Sequence, residues 1–150
     1  MQADVEYTIF GAGVIGLACA RELASQKKEF YILEKESQFG TGISSRNSEV
    51  IHSGIYYNKD SLKTKLCIEG RKLLYHYCED KKVSYKKTGK LIVATDESEI
   101  PKLKTLFENG RQNGVEGLSF LEESEIKKME PNVNAIASIY CSETGIIDTK

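Results

Sequence analysis

Hydrophobic and polar positions along the first 35 residues predict a strand, a helix and a second strand. The stretch VEYTIF at 5–10 is β-branched and aromatic, which predicts a strand buried on both faces. Small and apolar residues recur at helical spacing through VIGLACARELASQ, and FYILEK at 30–35 predicts another short buried strand. A strand, helix and strand so close in sequence form a βαβ unit, in which the two strands run parallel.

The stretch from 61 to 82 has the pattern of a long amphipathic helix. Asp60 or Ser61 is its predicted N-cap, because both side chains can accept a hydrogen bond from the first turn. The apolar residues that we expect on its buried side are Leu62, Leu66, Leu73, Leu74 and Tyr77.

Beyond Val83 the pattern changes to short strands and helices of mixed spacing. VSYKKTGKLIVATD predicts two strands around Gly89, and residues 98–113 predict a helix with Ser98 as N-cap and Pro101 in its first turn. GLSFLEESEIKKMEP predicts a strand and a short helix, and IASIYC predicts a final strand. We therefore expect an α/β fold class, with a Rossmann-like βαβ lobe and the start of a mixed or antiparallel α+β lobe.

Composition narrows the classes of function. The 150 residues carry a net charge of −1, which argues against nucleic acid as a partner. The four cysteines form no CxxC pair, so we expect no metal site and no disulfide framework, but free thiols in a cytoplasm-like compartment. No apolar run approaches the roughly 20 residues that span a bilayer, and we expect no signal peptide.

A dinucleotide-binding fingerprint lies between the first predicted strand and helix. Gly11, Gly13 and Gly16 form GxGxxG, and Glu34 ends the next predicted strand. Gly11 permits a tight turn, Gly13 lets the backbone approach a pyrophosphate, and Gly16 lets the helix pack closely on the sheet. The positive end of the helix favours phosphates, and Glu34 can accept hydrogen bonds from ribose hydroxyls. A glycine turn of an ordinary α/β protein is the alternative.

The segment GTGISSRNSEVIHSGIYYNKDSLK, residues 40–63, is too polar for a core strand. The fingerprint does not decide between NAD and FAD. A long, extended cofactor needs backbone and hydroxyl donors beyond its pyrophosphate, and a Gly- and Ser-rich segment supplies them, which favours FAD.

Several motifs together resemble the FAD-dependent D-amino-acid-oxidase-like (DAO) superfamily. They are the fingerprint with LEKE, GTGISSRNSEVIHSGIYY, SLKTKLCIEGRKLLYHYC, TGKLIVATDESEIPKL and SETGIID, which cover nearly the whole chain. The most similar branch is that of the L-2-hydroxyglutarate dehydrogenases and oxidases. The resemblance implies FAD as cofactor and a small 2-hydroxy acid, similar to L-2-hydroxyglutarate, as the substrate that is oxidised by hydride transfer to the flavin.

The resemblance also implies roles for individual residues. Gly11, Gly13, Val14, Ile15 and Gly16 would meet the pyrophosphate, and Glu34 with Lys35 the adenosine side. Ser44, Ser45, Arg46 and Asn47 would line the middle of the cofactor, although the serines and Asn47 are also ordinary turn residues. His52 would lie at the flavin and is the candidate catalytic base, since an imidazole can exchange protons near neutral pH. A structural or flavin-tuning role for His52 stays open. Gly54 and Tyr56 would lie near the flavin ring, and Tyr56 near the substrate.

Other residues favour a structural interpretation. Tyr57 is a candidate for packing, His76 for a helix surface, and Cys67 and Cys78 for buried helix positions. Glu49 departs from the hydroxyglutarate branch, in which glycine follows Arg-Asn-Ser, so the reaction class is better supported than the substrate.

The resemblance predicts the domain boundaries and partners. Residues 1–82 would belong to the FAD-binding domain, 83–144 to a substrate domain, and 145–150 to the return towards the FAD-binding domain. We expect a cytoplasmic location or one at the periphery of the inner membrane, and a quinone-linked electron acceptor there is an option. Three alternatives stay open: an amine or amino-acid oxidase, a glycerol-3-phosphate oxidoreductase, and a truncated, non-catalytic cofactor lobe.

Overall fold

The computed structural model describes residues 5–149, which form two compact units that divide between Ser48 and Glu49. The first unit contains β1 (Tyr7–Phe10), α1 (Val14–Ser25), β2 (Phe30–Leu33) and a 3₁₀ helix (Ile43–Arg46). The second contains β3 (Val50–Ile51), α2 (Leu62–Lys81), β4 (Tyr85–Lys86), β5 (Lys90–Ala94), a 3₁₀ turn (Glu97–Glu99), α3 (Ile100–Gln112), β6 (Leu118–Glu122), α4 (Glu123–Met129), β7 (Ala137–Cys141) and β8 (Gly145–Ile147).

The first unit is the predicted βαβ unit. β1 and β2 pair in parallel, with Tyr7 opposite Phe30 and Phe10 opposite Leu33, and α1 packs on both strands. The expected burial of both strand faces is wrong for the described residues, because Phe10 is 82% exposed and Leu33 is 52% exposed. A sheet of two strands with a single helix cannot cover both of its faces.

The second unit contains two antiparallel sheets, as the mixed pattern beyond Val83 predicts. In one sheet β8 lies between β3 and β4, and in the other β7 lies between β5 and β6. The two strands predicted around Gly89 therefore exist, but they belong to different sheets. The turn at Gly89 adopts a φ of +71° and carries the chain from one sheet to the other. The described chain is thus of the expected α/β class, with a mixed lobe after the βαβ unit.

The sheet around β7 is covered on both faces, because alternate side chains along its strands point to opposite sides. Ile92, Ile139 and Phe120 lie on one face, where Leu103 and other residues of α3 pack against them. Leu91, Tyr140 and Leu121 lie on the other face, together with Ile126 of α4. The main core of the second unit is therefore built around β7.

The predicted buried side of α2 is wrong. Leu62, Leu66, Leu73 and Tyr77 are exposed, and the buried residues are Thr64, Arg71, Tyr75 and Cys78. Hydrogen bonds from buried side chains of α2 stabilise this orientation of the helix. The Arg71 Nη2 donates to Glu116 Oε2 at 2.8 Å, and the Tyr75 hydroxyl donates to the Glu143 carbonyl oxygen at 2.9 Å. Apolar spacing alone therefore selected the wrong face of this helix.

Helix caps account for the starts of two elements. Ser61, one of the two predicted caps of α2, accepts a hydrogen bond from the Thr64 N–H at 3.2 Å. The predicted Ser98 cap of α3 is wrong, because α3 has Glu99 at its N-cap and no side-chain cap bond. The cap lies one element earlier, where the Asp96 carboxylate accepts the Ser98 N–H at 2.8 Å and starts the 3₁₀ turn. Pro101 lies in the first turn of α3, as predicted. No helix within residues 5–149 combines the length and apolar character that crossing a bilayer requires.

Truncation of the central strand should test the core. Ile139 is 0% exposed at the middle of β7, so Ile139→Ala should lower the free energy of unfolding by about 2–5 kcal/mol. Val93→Ala, on β5 of the same sheet but 37% exposed, is the control and should cost less than about 1 kcal/mol. Urea unfolding followed by circular dichroism measures both variants. Equal losses in the two variants would contradict a core centred on β7.

Candidate functional site

The turn between β1 and α1 brings the glycines of the fingerprint into close contact. A Cβ atom on Gly16 would lie 2.0 Å from the carbonyl oxygen of Gly11, so only glycine allows α1 to start so close to the end of β1. The Gly11 N–H donates to the Leu33 carbonyl oxygen at 2.7 Å, which joins the turn to the end of β2. The N-terminus of α1 therefore lies next to the carboxyl ends of β1 and β2.

Glu34, directly after β2, is the main polar anchor of this turn. Its Oε2 accepts the Ala12 N–H at 2.7 Å, and its Oε1 accepts the N–H groups of Lys35 at 2.8 Å and Glu36 at 3.0 Å. A carboxylate offers about four acceptor positions, so three backbone bonds leave one free on Oε2. That remaining position can accept a ribose hydroxyl.

Backbone hydrogen bonds lower the pKa of the Glu34 carboxyl below its usual value, with the Glu36 N–H as the largest cause and the Ala12 N–H next. Because each of these donors favours the charged form, the carboxylate remains ionised at neutral pH. A negative charge at this position also disfavours a nucleotide with a 2′-phosphate.

Ser44 connects the 3₁₀ helix to the start of α1. Its Oγ accepts the Val14 N–H at 2.9 Å, and a Cβ atom on Gly13 would lie 3.0 Å from the same oxygen. The first turn of an α-helix has four N–H groups without partners in the helix, and Ser44 takes one of them. The others remain available to an anion at the positive end of α1.

A cleft of about 530 Å³ lies beside this turn. Gly11 and Gly13 line it from the β1–α1 turn, and Glu34 and Lys35 line it from the end of β2. Ser44 lines the remaining side, together with Gly40, Gly42 and Ile43. Glycine backbone, a helix N-terminus and a carboxylate thus line one cleft. These are the groups that bind the pyrophosphate and the ribose of a dinucleotide.

The other residues predicted for the cofactor are exposed around the cleft. Val14 and Ile15 present apolar side chains to solvent in the first turn of α1. The Ser45 hydroxyl donates to the Gly42 carbonyl oxygen at 2.8 Å, and the Asn47 Nδ2 donates to the Ser44 carbonyl oxygen at 2.8 Å. These two bonds are those of ordinary turn residues. Arg46 is exposed and forms no ion pair within the part of the chain that the structure describes.

In the second unit, His52 is an exposed side chain on a rigid backbone. Its neighbours Ile51 and Ser53 are buried, and its carbonyl oxygen accepts the Cys67 thiol of α2 at 3.5 Å. Gly54 then turns the chain with a φ of +93°, and a Cβ atom there would lie 3.0 Å from Ile68. The imidazole therefore projects into solvent from a segment that is held against α2.

Tyr56 and Tyr57 differ in their surroundings. Tyr56 is 49% exposed, and the Lys90 ammonium lies 5.0 Å from the centre of its ring. Tyr57 is half-buried, with the Lys63 ammonium 4.3 Å from its ring centre. Tyr56 is therefore the more accessible of the two rings.

Sequence reasoning missed three residues next to these tyrosines. Asn109 of α3 and Asn113, the residue after its end, donate from their Nδ2 atoms to the Tyr57 carbonyl oxygen, at 3.1 and 2.9 Å. The repeat ENGRQNG contains both asparagines and could have indicated a paired role. The third missed residue is Lys90. Its charge at the start of an otherwise apolar strand could have indicated a role beyond packing.

Glu49, the position at which the motif departs from the hydroxyglutarate branch, adopts a φ of +57°. This left-handed conformation favours glycine over other residues. The Glu49 carboxylate accepts the Thr149 hydroxyl at 2.8 Å, and its carbonyl oxygen accepts the Ile147 N–H at 2.9 Å. The side chain is thus bonded at the end of β8.

Two absences hold within residues 5–149. No three His, Cys, Asp or Glu side chains come together as metal ligands in this range. Cys19, Cys67, Cys78 and Cys141 all lie in it, and all four are free thiols.

Comparison with known proteins gives one family and consistent relatives. A family model described as DAO, FAD dependent oxidoreductase, matches residues 6–150. The L-2-hydroxyglutarate dehydrogenase, mitochondrial, of Arabidopsis thaliana is 52% identical over 145 residues, which cover 97% of this chain and 30% of the relative. The protein of the same name from Homo sapiens is 48% identical over 148 residues, covering 97% of this chain and 32% of the relative. The chain thus spans about a third of the length of these curated relatives.

Two solved structures with this fold are oxidases by name. The L-alpha-glycerophosphate oxidase from Mycoplasma pneumoniae with FAD bound has a TM-score of 0.87 and 34% identity, over 96% of this chain and 39% of the oxidase. Glycine oxidase from Geobacillus kaustophilus has a TM-score of 0.83 and 25% identity, over 95% of this chain and 40% of that enzyme.

The relatives correct the predicted location. The expected cytoplasmic location is wrong by this comparison, because the matching dehydrogenases are named as mitochondrial. Free thiols indicated only a reducing compartment, and they carry no information about which one. The family itself is not in question: the match over residues 6–150 shows that this chain belongs to the DAO family of FAD dependent oxidoreductases.

Proposed function

We propose that this chain is part of an FAD-dependent dehydrogenase that oxidises a small 2-hydroxy acid, similar to L-2-hydroxyglutarate. The observation that carries the proposal is the identity of about half of the residues, along 97% of the chain, to proteins named L-2-hydroxyglutarate dehydrogenase. The fit of the first unit to a nucleotide diphosphate supports it independently.

The groups that line the cleft of the first unit suit the adenosine diphosphate part of FAD. The N–H groups at the start of α1 and the backbone of Gly13 would hold the pyrophosphate. The free acceptor position on Glu34 Oε2 would hold a ribose hydroxyl, with Lys35 beside it. The exposed guanidinium of Arg46, which has no ion pair within the described residues, would offset negative charge on the cofactor.

In the reaction that we propose, FAD supplies the acceptor for the hydride that leaves the carbon bearing the hydroxyl group. The reaction also needs a base for the hydroxyl proton. His52 is exposed on a rigid backbone and can take that proton on an imidazole nitrogen. Tyr56, exposed four residues later, would contact the substrate.

The same proposal extends to domains, location and partners. Residues 1–82 would belong to the FAD-binding domain, 83–144 to the substrate domain and 145–150 to the return to the FAD-binding domain. The names of the relatives support a mitochondrial location, and a quinone-linked electron acceptor stays a proposal.

A substrate screen on protein expressed from the complete reading frame tests the function. Under anaerobic conditions L-2-hydroxyglutarate should bleach the flavin absorbance, whereas glycine, L-proline and glycerol 3-phosphate should not. Bleaching by glycerol 3-phosphate instead would favour a function like that of the glycerophosphate oxidase at 34% identity. Purified protein without flavin absorbance would contradict the proposal.

Substitution in the cleft should remove FAD. Gly13→Val places a branched side chain against Ser44 Oγ, which a Cβ atom alone approaches to 3.0 Å, and into the space for the pyrophosphate. Overpacking of this size should weaken FAD binding about ten- to a hundredfold. Flavin absorbance per polypeptide measures the loss. The control Gly70→Ala, on α2 with open space around it, should keep its flavin, and a Gly13→Val protein with full flavin content would refute the assignment of the pyrophosphate site.

The two histidines offer a matched test of the catalytic base. His52→Asn should keep FAD but lower kcat about 10²–10⁴-fold, because proton removal from the hydroxyl loses its base. His76→Asn changes an exposed residue of α2 and should leave kcat unchanged. Steady-state rates with L-2-hydroxyglutarate compare the variants. A His52→Asn enzyme with normal kcat would leave His52 with the structural role only.

A further inference from the structure

The Lys90 ammonium has no anionic partner within residues 5–149, and it lies next to the tyrosine that we propose for substrate contact. It lies 5.0 Å from the centre of the Tyr56 ring, and within the described residues it forms no ion pair. Lys87, three residues earlier, differs in this respect, because it pairs with Glu143 at 3.2 Å. Lys102, which lines the cleft next to Tyr56, resembles Lys90 in having no ion pair within the described residues.

Both members of the Lys90–Tyr56 pair project from rigid backbone. Lys90 begins β5 and pairs in register with Cys141, which is fully buried in the central strand. Tyr56 follows Ile55, which is 1% exposed in the main core of the second unit. The asparagine pair at the end of α3 holds the carbonyl oxygen of the next residue. The ring and the ammonium are therefore preorganised, while the outer part of the ring remains accessible.

Space for a ligand exists next to the same ring. Tyr56 lines a cleft of about 710 Å³, together with Asn58 and two charged residues, Glu99 and Lys102. Lys90 does not line this cleft but reaches it through the Tyr56 ring, 5.0 Å from its ammonium. An exposed cation–π contact is weaker than a charge-assisted hydrogen bond to a carboxylate. An arriving carboxylate would therefore compete successfully with the ring for the ammonium, and the tyrosine hydroxyl, which has no partner within residues 5–149, could donate to it as well.

We propose that Lys90, next to Tyr56, is a specificity-determining residue that binds the second carboxylate of a dicarboxylic 2-hydroxy acid. The proposal rests on the proposed function and deepens it, because it names the residue that would bind the second carboxylate of such a substrate. The Lys90 ammonium beside Tyr56 would not strengthen the binding of a substrate whose far end is neutral. It favours a substrate whose far end is negatively charged, over a monocarboxylate of similar length.

The test uses the FAD-loaded enzyme from the complete reading frame, with L-2-hydroxyglutarate and the monocarboxylate L-2-hydroxybutyrate as substrates. Lys90→Met should raise KM for the dicarboxylate about ten- to a hundredfold, since a hydrogen bond to a charged group is lost. Its kcat should change by less than about threefold, and its KM for the monocarboxylate should stay constant. Lys90→Arg should restore most of the affinity, because it keeps the charge.

Lys63→Met is the matched control. It removes an ammonium at a similar distance from a tyrosine ring, but that ring belongs to Tyr57, which we assign to packing. Both KM values of this variant should equal those of the wild type. A rise in KM for the dicarboxylate as large as that of Lys90→Met would indicate a general effect of charge and overturn the assignment.

Binding without turnover gives a second measurement. Glutarate, which carries two carboxylates and no hydroxyl, should perturb the flavin spectrum of the wild type and bind about tenfold or more weakly to Lys90→Met and Lys90→Gln. Flavin content and the thermal midpoint report whether each variant is folded. A wild type that never oxidises L-2-hydroxyglutarate would overturn the proposed function and this inference with it. If the wild type oxidises L-2-hydroxyglutarate, but Lys90→Met and Lys90→Gln keep the KM and the glutarate affinity of the wild type, the inference alone is overturned.

Discussion

The hydrogen bond from the Ala12 N–H to the Glu34 carboxylate, at 2.7 Å, is the interaction on which the first unit depends. It connects the turn that starts α1 with the end of β2, so the glycines, the helix N-terminus and the carboxylate share one cleft. The two further N–H groups at Glu34 Oε1 fix the carboxylate and keep it ionised. Without that anchor, the parallel pair of strands would not by itself position the start of the helix.

In the second unit, the side chains that we propose for catalysis and substrate contact are attached to well-packed backbone. Ile51 is buried and His52 is exposed, and in the same way Ile55 is buried and Tyr56 is exposed. The buried neighbour of each exposed residue therefore fixes the position of its backbone. Hydrogen bonds from the end of α3 to the carbonyl oxygen of Tyr57 extend the same support. Stability and accessibility are thus distributed over adjacent residues rather than over separate regions.

Local patterns predicted most of the elements, including the parallel βαβ unit and the Ser61 cap, because their causes lie within a few neighbouring residues. The orientation of α2 was not predictable in this way. Arg71 is buried through an ion pair with Glu116, 45 residues away in sequence, and apolar periodicity cannot register such a partner. The prediction that both faces of β1 and β2 are buried failed for a related reason, since burial depends on which other elements cover the sheet. At the candidate site, the glycines and Glu34 followed from the motif, whereas Lys90 became apparent only through its distance from Tyr56.

The contact between Gly16 and Gly11 has a consequence for genetic variation. Every missense change in the codon of Gly16 adds at least a Cβ atom, and that atom would lie 2.0 Å from a backbone oxygen that cannot move without the strand. No conservative allele therefore exists at this position. Gly70 lies inside a helix, and a Cβ atom there would meet no described atom within 4 Å beyond the helix's own backbone. It should by contrast accumulate alanine among natural variants. Glycine codons in one chain thus differ sharply in the variation that selection can tolerate.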